Sequence, residues 1–447
     1  MSRIMPKIIS IFFFLGIYLL GSGLTIDQVS ARELALDLKA VIRIAQENNP
    51  QIDIARQQRY QKQGLLTQAV SGYLPHLSTE AGIGQQYIDN LQPDDEDTIG
   101  HASLKASQLI YDFGHTGGAI AAGRNSLEAA RDNLIQTRKD VVFASKEKFY
   151  SVLAKKRLIE VEKEAVANYK QQLYRARKYY DAGIRTKIDV TNAGVNLANA
   201  RLALLRARSN LKTARARLEQ VLGLKPNRGL YRLINNEGAL SELAANKPPL
   251  SDSVELLLDT AFSSRSDMKA VNSLTKAAKA EIRRARSGYF PSIQAQASYD
   301  EYNTDLASAA DQWYFGVNLT WEIFSGFQTR GETVTARARF NEITASLKEL
   351  ELAITQEVTD SWLKGIEYRD SVDIADETMQ LAAENFVLAD KRYKAGLNDM
   401  IEYNDAQLSL TRSQSNLVTS YYDYLTALAR IENAVGVIPG LVIKETK

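Results

Sequence analysis

Residues Thr213 to Gly223 read TARARLEQVLG, and Thr426 to Gly436 read TALARIENAVG. At this shift of 213 positions Thr213, Ala214, Ala216, Arg217, Glu219 and Gly223 all meet identical residues. The same shift carries Ala182-Gly183 onto Ala395-Gly396, and a shift of 216 carries Gly72-Tyr73-Leu74-Pro75 onto Gly288-Tyr289-Phe290-Pro291. One spacing held over such distances, with a slip of three residues, marks a tandem duplication. The plan that follows is a first repeat over 32–230, a linking segment over 231–250, a second repeat over 251–440 and a tail over 441–447.

Proline placement indicates what each half contains. None occurs between Pro93 and Pro226 or between Pro291 and Pro439, and proline is costly inside a helix because it lacks the N–H and clashes with the preceding turn. Gly118 to Asp181 and Gly331 to Lys394 are rich in Ala, Leu, Lys, Arg, Glu and Gln, the strong helix formers. Each stretch predicts one helix of roughly 65 residues, about 100 Å long at ~1.5 Å per residue. Such lengths call for coiled-coil-like packing. Gly183 and Gly396 stand where left-handed C-terminal caps are expected. Return helices follow over Lys187 to Leu222 and Met400 to Val435, and shorter helices precede the Gly-Tyr-(Leu/Phe)-Pro signals over Leu34 to Ser71 and Ser253 to Ser287.

Between those signals and the long helices the period changes from helical to alternating. Trp313, Phe315, Val317, Leu319, Trp321 and Ile323 point one way, and Tyr314, Gly316, Asn318, Thr320 and Glu322 the other. Strict alternation over Trp313 to Ile323 matches the roughly 9–11 residues of a membrane-spanning strand. Aromatic residues near both ends suit the two interfacial belts, so the first set is expected to face lipid. Ile293 to Asn303 is the expected partner strand, and the first half offers Leu77 to Ile88 and Ile99 to Tyr111, joined by an acidic turn over Asp89 to Asp97. A half-buried strand pair in a soluble sheet is the plainer reading of any one of these strands. Four strands cannot close a barrel, and strand edges are not tolerated in lipid. A membrane role therefore requires several copies, each giving four strands.

The composition fits an ordered chain: 45% hydrophobic and 24% charged over 447 residues, with a formal charge of +2. Near-neutrality gives no bulk electrostatic case for nucleic acid, and the basic cluster Arg201 to Arg217 is interleaved with Leu and Ala, as on a packed helix. The absence of cysteine excludes disulfides, thiolate metal sites, cysteine nucleophiles and a lipid-modified N-terminal cysteine. His76, His101 and His115 lack metal-ligand spacing, and no phosphate loop or nucleophile elbow is present. No catalytic residue and no cofactor are expected. Arg3 and Lys7 followed by the apolar run Ile8 to Leu20 and the small residues before Ala31 predict a signal peptide over 1–31. An anchoring helix is the alternative, but this run falls short of the ~20 residues that span a bilayer.

In order, duplication and spacing these features resemble the TolC-like outer-membrane efflux family. Ile110-Tyr111-Asp112-Phe113-Gly114 and Glu322-Ile323-Phe324-Ser325-Gly326 are similar to that family's strand-to-helix passages. The resemblance implies a mainly α chain with transmembrane β-strands, whose trimer forms a 12-stranded barrel on a 12-helix periplasmic tunnel. It also implies a passive exit duct for efflux or type I secretion, fed by an inner-membrane transporter through a periplasmic adaptor. A soluble periplasmic coiled-coil adaptor is the alternative reading.

The resemblance assigns roles near the two capping glycines as well. Glu402 and Asp405 share one face of a first helical turn and resemble the acids lining the family's constriction; a three-fold axis would gather them into a cation-attracting ring. The plainer reading is that such acids favour the positive end of a helix, and it applies equally to Asp189, which matches them in the first repeat. The family ties an acid here to a tyrosine that falls on Tyr393. A basic latch residue falls on the uncharged Asn398, leaving Lys394 or Arg185 as substitutes. Ala182, Gly183, Ile184, Ala395, Gly396 and Leu397 resemble adaptor-docking tips, or serve merely as helix caps.

Overall fold

The structure is a computed structural model that describes residues 34–87, 96–226, 231–234, 238–251, 253–303, 309–397 and 399–437. The expected signal peptide over 1–31, most of the acidic turn after Asp89, Asn398 and the tail 441–447 lie outside the described residues.

Two helix–strand–helix series follow one another. The first comprises α1 (Leu38–Asn48), α2 (Pro50–Ser71), β2 (His76–Tyr87), β3 (Glu96–Tyr111), α3 (His115–Asp181) and α4 (Lys187–Val221), preceded by a short strand β1 (Leu34–Leu36). After β4 (Tyr231–Leu233), the second comprises α5 (Val254–Ser264), α6 (Ser266–Ser287), β5 (Ser292–Asn303), β6 (Ala309–Thr320), α7 (Gln328–Lys394) and α8 (Met400–Val435). α3 and α7 each run 67 residues, about 100 Å at ~1.5 Å per residue. Both end in the expected left-handed glycine, with φ +73° at Gly183 and +74° at Gly396. The next amide closes each cap, from Ile184 to the Tyr179 carbonyl and from Leu397 to the Arg392 carbonyl, both at 2.9 Å.

Each of the two shorter helical stretches is divided, where one helix is expected. Pro50 cannot donate to the preceding turn, so α1 stops and Pro50 opens α2. Asn49 fastens this break: its side chain accepts from the Gln51 N–H at 2.8 Å and donates to the Val221 carbonyl at 2.8 Å, where α4 ends. In the second half Arg265 takes the same place and donates to the Ala434 carbonyl at 2.8 Å, near the end of α8. Residues 34–36 are a strand rather than helix, paired in parallel with β4.

Below these breaks the helices lie in a row, α4 against α3, α3 against α8 and α8 against α7. Toward the strands α2 packs on α3, and α6 lies between α3 and α7. The main core lies where the α1–β1–β4 layer covers the row. Val41, Ile52, Val141, Phe149, Leu218, Leu222, Leu417 and Tyr424 are buried there. A smaller cluster under α5 holds Ile354, Val358 and Ile431, and a third near the capping glycines holds Ala176, Ala193, Tyr393, Met400 and Tyr403. No helix among the described residues is long and apolar enough to cross a membrane.

Candidate functional site

The four long strands form one antiparallel sheet in the order β2-β3-β5-β6, so β2 and β6 are its open edges. Strand register decides what each face presents, because successive side chains alternate between faces. One row runs Leu77, Ala106, Ala297, Phe315, and the next Thr79, Leu104, Tyr299, Trp313; Ala295 with Val317 and Ile293 with Leu319 extend the same face. The opposite face carries Ser78, Lys105, Ser298, Tyr314 and then Glu80, Ser103, Asp300, Gln312. Polar contacts tie this second face together: Lys105 pairs with Glu80 at 3.4 Å, and Asn318 donates to Gln296 at 2.5 Å. Trp313 and Phe315 are 76% and 72% exposed within one chain, although they are large and apolar.

The ladder ends at Ser292 opposite Thr320, because Pro291 precedes β5 and can donate no further ladder bond. Trp321 and Ile323, expected in the strand, therefore lie beyond it in the passage to α7. Trp321 donates its indole N–H to the Tyr289 carbonyl at 3.2 Å. At its other end β6 reaches back to Ala309 rather than Trp313, since β5 supplies partners as far as Asn303.

The passages from strand to helix turn on paired left-handed residues, Phe113 with Gly114 and Gly326 with Phe327. A left-handed phenylalanine costs roughly 1 kcal/mol or more, and each of these two makes an aromatic contact. Phe113 stacks on Phe290 with ring centroids 5.2 Å apart, and Phe327 meets Phe324 edge-on at 5.6 Å. The buried Asp112 carboxylate accepts from the Gly114 and Thr116 amides at 3.1 and 2.6 Å, capping α3. Here the fold brings together two of the scattered histidines, His76 and His115, on a cavity of about 470 Å³ that Asp112 and Glu322 also line.

At the far end of the helices, Glu402 and Asp405 are both exposed on the first turns of α8. Glu402 approaches Arg392 at 3.7 Å. Asp405 lies close enough to Tyr169 to add to the upward push that burial gives that phenol. Asp189 does not hold Tyr393. Its carboxylate accepts from the Thr186 amide at 3.1 Å and the Thr186 hydroxyl at 3.0 Å, so it is engaged in capping α4. Tyr393 is 1% exposed, and its hydroxyl has no hydrogen-bond partner among the described residues. Burial, with a further push from Asp189 against the pull of Arg185, raises its phenol above the ordinary value. Arg185 lies over the Tyr393 ring, 5.9 Å from its centre.

The shortest hydrogen bond across the helices at this end joins two residues that the sequence does not single out. Arg175 on α3 donates to Asp390 on α7 at 2.6 Å, and Lys394 pairs with the other oxygen of the same carboxylate. Burial opposes the charge on Asp390, but hydrogen bonds from Lys394 and Arg175 outweigh it and hold the carboxyl below its usual 3.8. Beside this pair Gln172 donates to Asn404 at 2.7 Å, joining α3 to α8. Of the two substitutes for the latch cation, Lys394 thus reaches α7's own acid and Arg185 reaches a ring. Ile184 and Leu397 are exposed on the two capping turns.

A sheet with one apolar and one polar face, open at both edges and set on helices of this length, has the build of an outer-membrane channel subunit. The chain belongs to the outer membrane efflux protein family, whose sequence model matches residues 41–224 and 257–437. It is 22% identical to the outer membrane efflux protein BepC of Brucella suis over 82% of this chain and 78% of that protein. It is 21% identical to the outer membrane protein TolC of Vibrio cholerae over 92% and 93%. The match to the toluene efflux pump outer membrane protein TtgC of Pseudomonas putida spans 58% of that relative. The solved outer membrane protein VceC of Vibrio cholerae has the same fold, with a TM-score of 0.76 at 19% identity over 90% of this chain and 96% of that one. The family and fold are those of outer-membrane channels rather than enzymes, which sets aside the soluble adaptor reading.

One consequence concerns the apolar face. An arginine at mid-bilayer on a barrel's lipid face costs roughly 2–4 kcal/mol. Phe315→Arg is therefore expected to reduce folded, heat-modifiable protein in outer-membrane fractions severalfold, while Gln312→Arg on the polar face leaves it near wild type. Equal yields from the two variants would refute the assignment of faces.

Proposed function

We propose that three copies close into one exit duct, β6 of each copy pairing with β2 of the next to complete a 12-stranded barrel. The apolar rows then meet outer-membrane lipid, and the polar rows line a water-filled lumen continuous with a 12-helix tunnel. The observation that carries this reading is the shared register of all four strands, which gathers the apolar side chains on one face and leaves both outer strands unpaired. An unpaired edge is not tolerated in hydrocarbon, and pairing between copies removes both. The duct is passive: it takes cargo from an inner-membrane transporter through a periplasmic adaptor that seats on the turns Ala182-Gly183-Ile184 and Ala395-Gly396-Leu397. Exposed Ile184 and Leu397 offer such a partner apolar contact.

At the closed end Glu402 and Asp405 of each copy converge on the axis, next to Tyr393 and the capping acid Asp189. A narrow ring of carboxylates attracts cations and repels anions. Purified trimer in planar bilayers is expected to conduct ions with cation preference. Glu402→Ala with Asp405→Ala should lower that preference severalfold and weaken block by divalent cations. Unchanged selectivity removes the ring assignment, and a folded trimer without pores overturns the channel itself.

A further inference from the structure

On α6, Lys269, Asn272, Lys276, Lys279, Arg283 and Arg286 follow one another at alternating spacings of three and four residues, and all are exposed. At roughly 100° per residue they lie within about 60° of one line. The result is a basic stripe about 25 Å long at ~1.5 Å per residue. Both acids of the helix are engaged by other arginines: Asp267 pairs with Arg265 at 2.6 Å, and Glu281 with Arg284 at 3.4 Å. Among the described residues, none of the stripe's five cations makes an ion pair. Lys269 acts on Asp132 of α3 only through space.

The fold by itself does not call for this stripe. The matching positions of α2, 216 residues earlier, hold Asp53, Arg56, Tyr60, Gln63, Thr67 and Val70. Both helices take the same place before a strand pair, yet only one of them carries the charge.

Its position says what the stripe faces. Ala270, Ala277 and Ala280 are buried on the flank of Arg284, whose backbone lies against Gly118 of α3. Met268, on the same line as Arg286, joins the cluster under α5. The stripe thus turns to the side of the wall that carries α5, and a duct keeps that side out of its lumen. α6 lies between α3 and α7, so copies closing edge to edge leave it uncovered. Phe290 continues the line past the helix end and is exposed, three residues before Ile293 in the last apolar row of the sheet. Arg286 then lies about 6 Å below Phe290, and Lys269 about 30 Å below it.

These distances decide between two anionic partners. Headgroups extend roughly 5–8 Å beyond the hydrocarbon, and their potential is screened within about another 8 Å. Lipid therefore reaches Arg286 and Arg283 and leaves Lys279, Lys276 and Lys269 without a partner. An extended polyanion standing beside the tunnel meets all five. Helices about 100 Å long under an outer membrane pass through the cell wall, whose peptide stems carry free carboxylates.

We propose that the outer stripe of α6 binds the carboxylates of peptidoglycan. The proposal rests on the outer-membrane duct reading and adds a stationary partner that holds the tunnel in the wall. One exposed ion pair is weak, but a row of cations on each of several copies acts through effective concentration.

Purified trimer in detergent is expected to sediment with protein-free sacculi at about 0.1 M salt and to be released at about 0.5 M. Lys276→Glu with Lys279→Glu should cut the bound fraction at least fivefold. Lys163→Glu with Lys170→Glu, an equal change of charge at exposed positions lower on α3, should leave it near wild type. Sacculi whose carboxyls have been amidated should hold at least fivefold less of the wild type. Equal losses in the two variants, or full retention on amidated sacculi, overturn the proposal. It is also overturned where the α6 variant loses phosphatidylglycerol vesicles but still sediments with sacculi, which makes the stripe a lipid contact. Bilayer conductance of the same preparations reports on the duct separately. A variant that conducts like wild type yet leaves the sacculi supports the proposal, whereas wild type that binds sacculi without conducting keeps the stripe and loses the duct.

Discussion

Replacing Arg265 by alanine is expected to destabilise the folded chain by about 3 kcal/mol or more, the usual loss when one member of a buried, hydrogen-bonded charge network is removed. Arg265 is 7% exposed in the break between α5 and α6. It donates to both oxygens of Asp267 at 3.0 and 2.6 Å, to Glu357 on α7 at 2.6 Å and to the Ala434 carbonyl at 2.8 Å. Burial alone would weaken its charge, but the hydrogen bonds and charges of Asp267 and Glu357 more than reverse that and stabilise the guanidinium. One side chain therefore ties α6, α7 and α8 together at the height where each half divides its short helices. Alanine leaves Asp267 and the Ala434 carbonyl without this donor. Lysine keeps the charge but cannot reproduce the planar fork, so Arg265→Lys should recover only part of the loss. Denaturation midpoints in detergent, compared for the three proteins, measure both effects. A midpoint for the alanine variant within 1 °C of wild type refutes the role given to Arg265.

The contrast between Asn49 and Arg265 explains how far the sequence could be read. Both occupy the break of their repeat and both satisfy the last turn of a return helix, yet one is a neutral amide opposite a proline and the other a cation. Duplication is legible where backbone geometry demands a residue type, as at Gly183 and Gly396, whose positive φ disfavours any residue with a Cβ. It is not legible where different side chains perform one task. The helix breaks themselves were legible, in Asn49-Pro50 and in the serines that flank Arg265; the tertiary donor network that fastens each of them was not. The strand faces were legible in β6, whose alternation is strict. In β2 and β3 the apolar rows contain Thr79, Ala102 and Gly100, small or polar residues that take their face from pairing with β5 rather than from their own pattern.

At the capped end of the long helices the resemblance pointed to acids and a tyrosine, whereas the closest side-chain bond across the helices lies elsewhere. Arg175 and Asp390 are 215 residues apart, share no motif, and meet because α3 and α7 both descend to the same end. Asp189 illustrates the opposite case. It stands three residues after Thr186, a capping-box spacing visible in sequence, and its carboxylate is engaged by that cap.

On the proposed duct reading, breaking the link between Arg175 and Asp390 is expected to loosen the capped end of the helices and raise single-channel conductance severalfold at neutral pH. Asp390→Asn removes the charge with little change in shape, and deprives both Arg175 and Lys394 of their partner. Arg175→Gln should act in the same direction. Because the Arg175 link is already lost in Asp390→Asn, the double variant should add little to Asp390→Asn alone. The pH dependence carries a definite sign. The carboxyl of Asp390 is held below its usual 3.8 in the linked state, so the link stabilises that state fully above the unlinked value and fades as pH falls through the depressed one. The difference in conductance between wild type and Asp390→Asn should thus persist from neutral pH down to about pH 5 and vanish only on strong acidification. Equal conductance at neutral pH would mean that the tip is held by something other than this carboxylate. The cap at Thr186 and the tyrosine cluster around Tyr393 and Tyr403 would then be the next contacts to loosen.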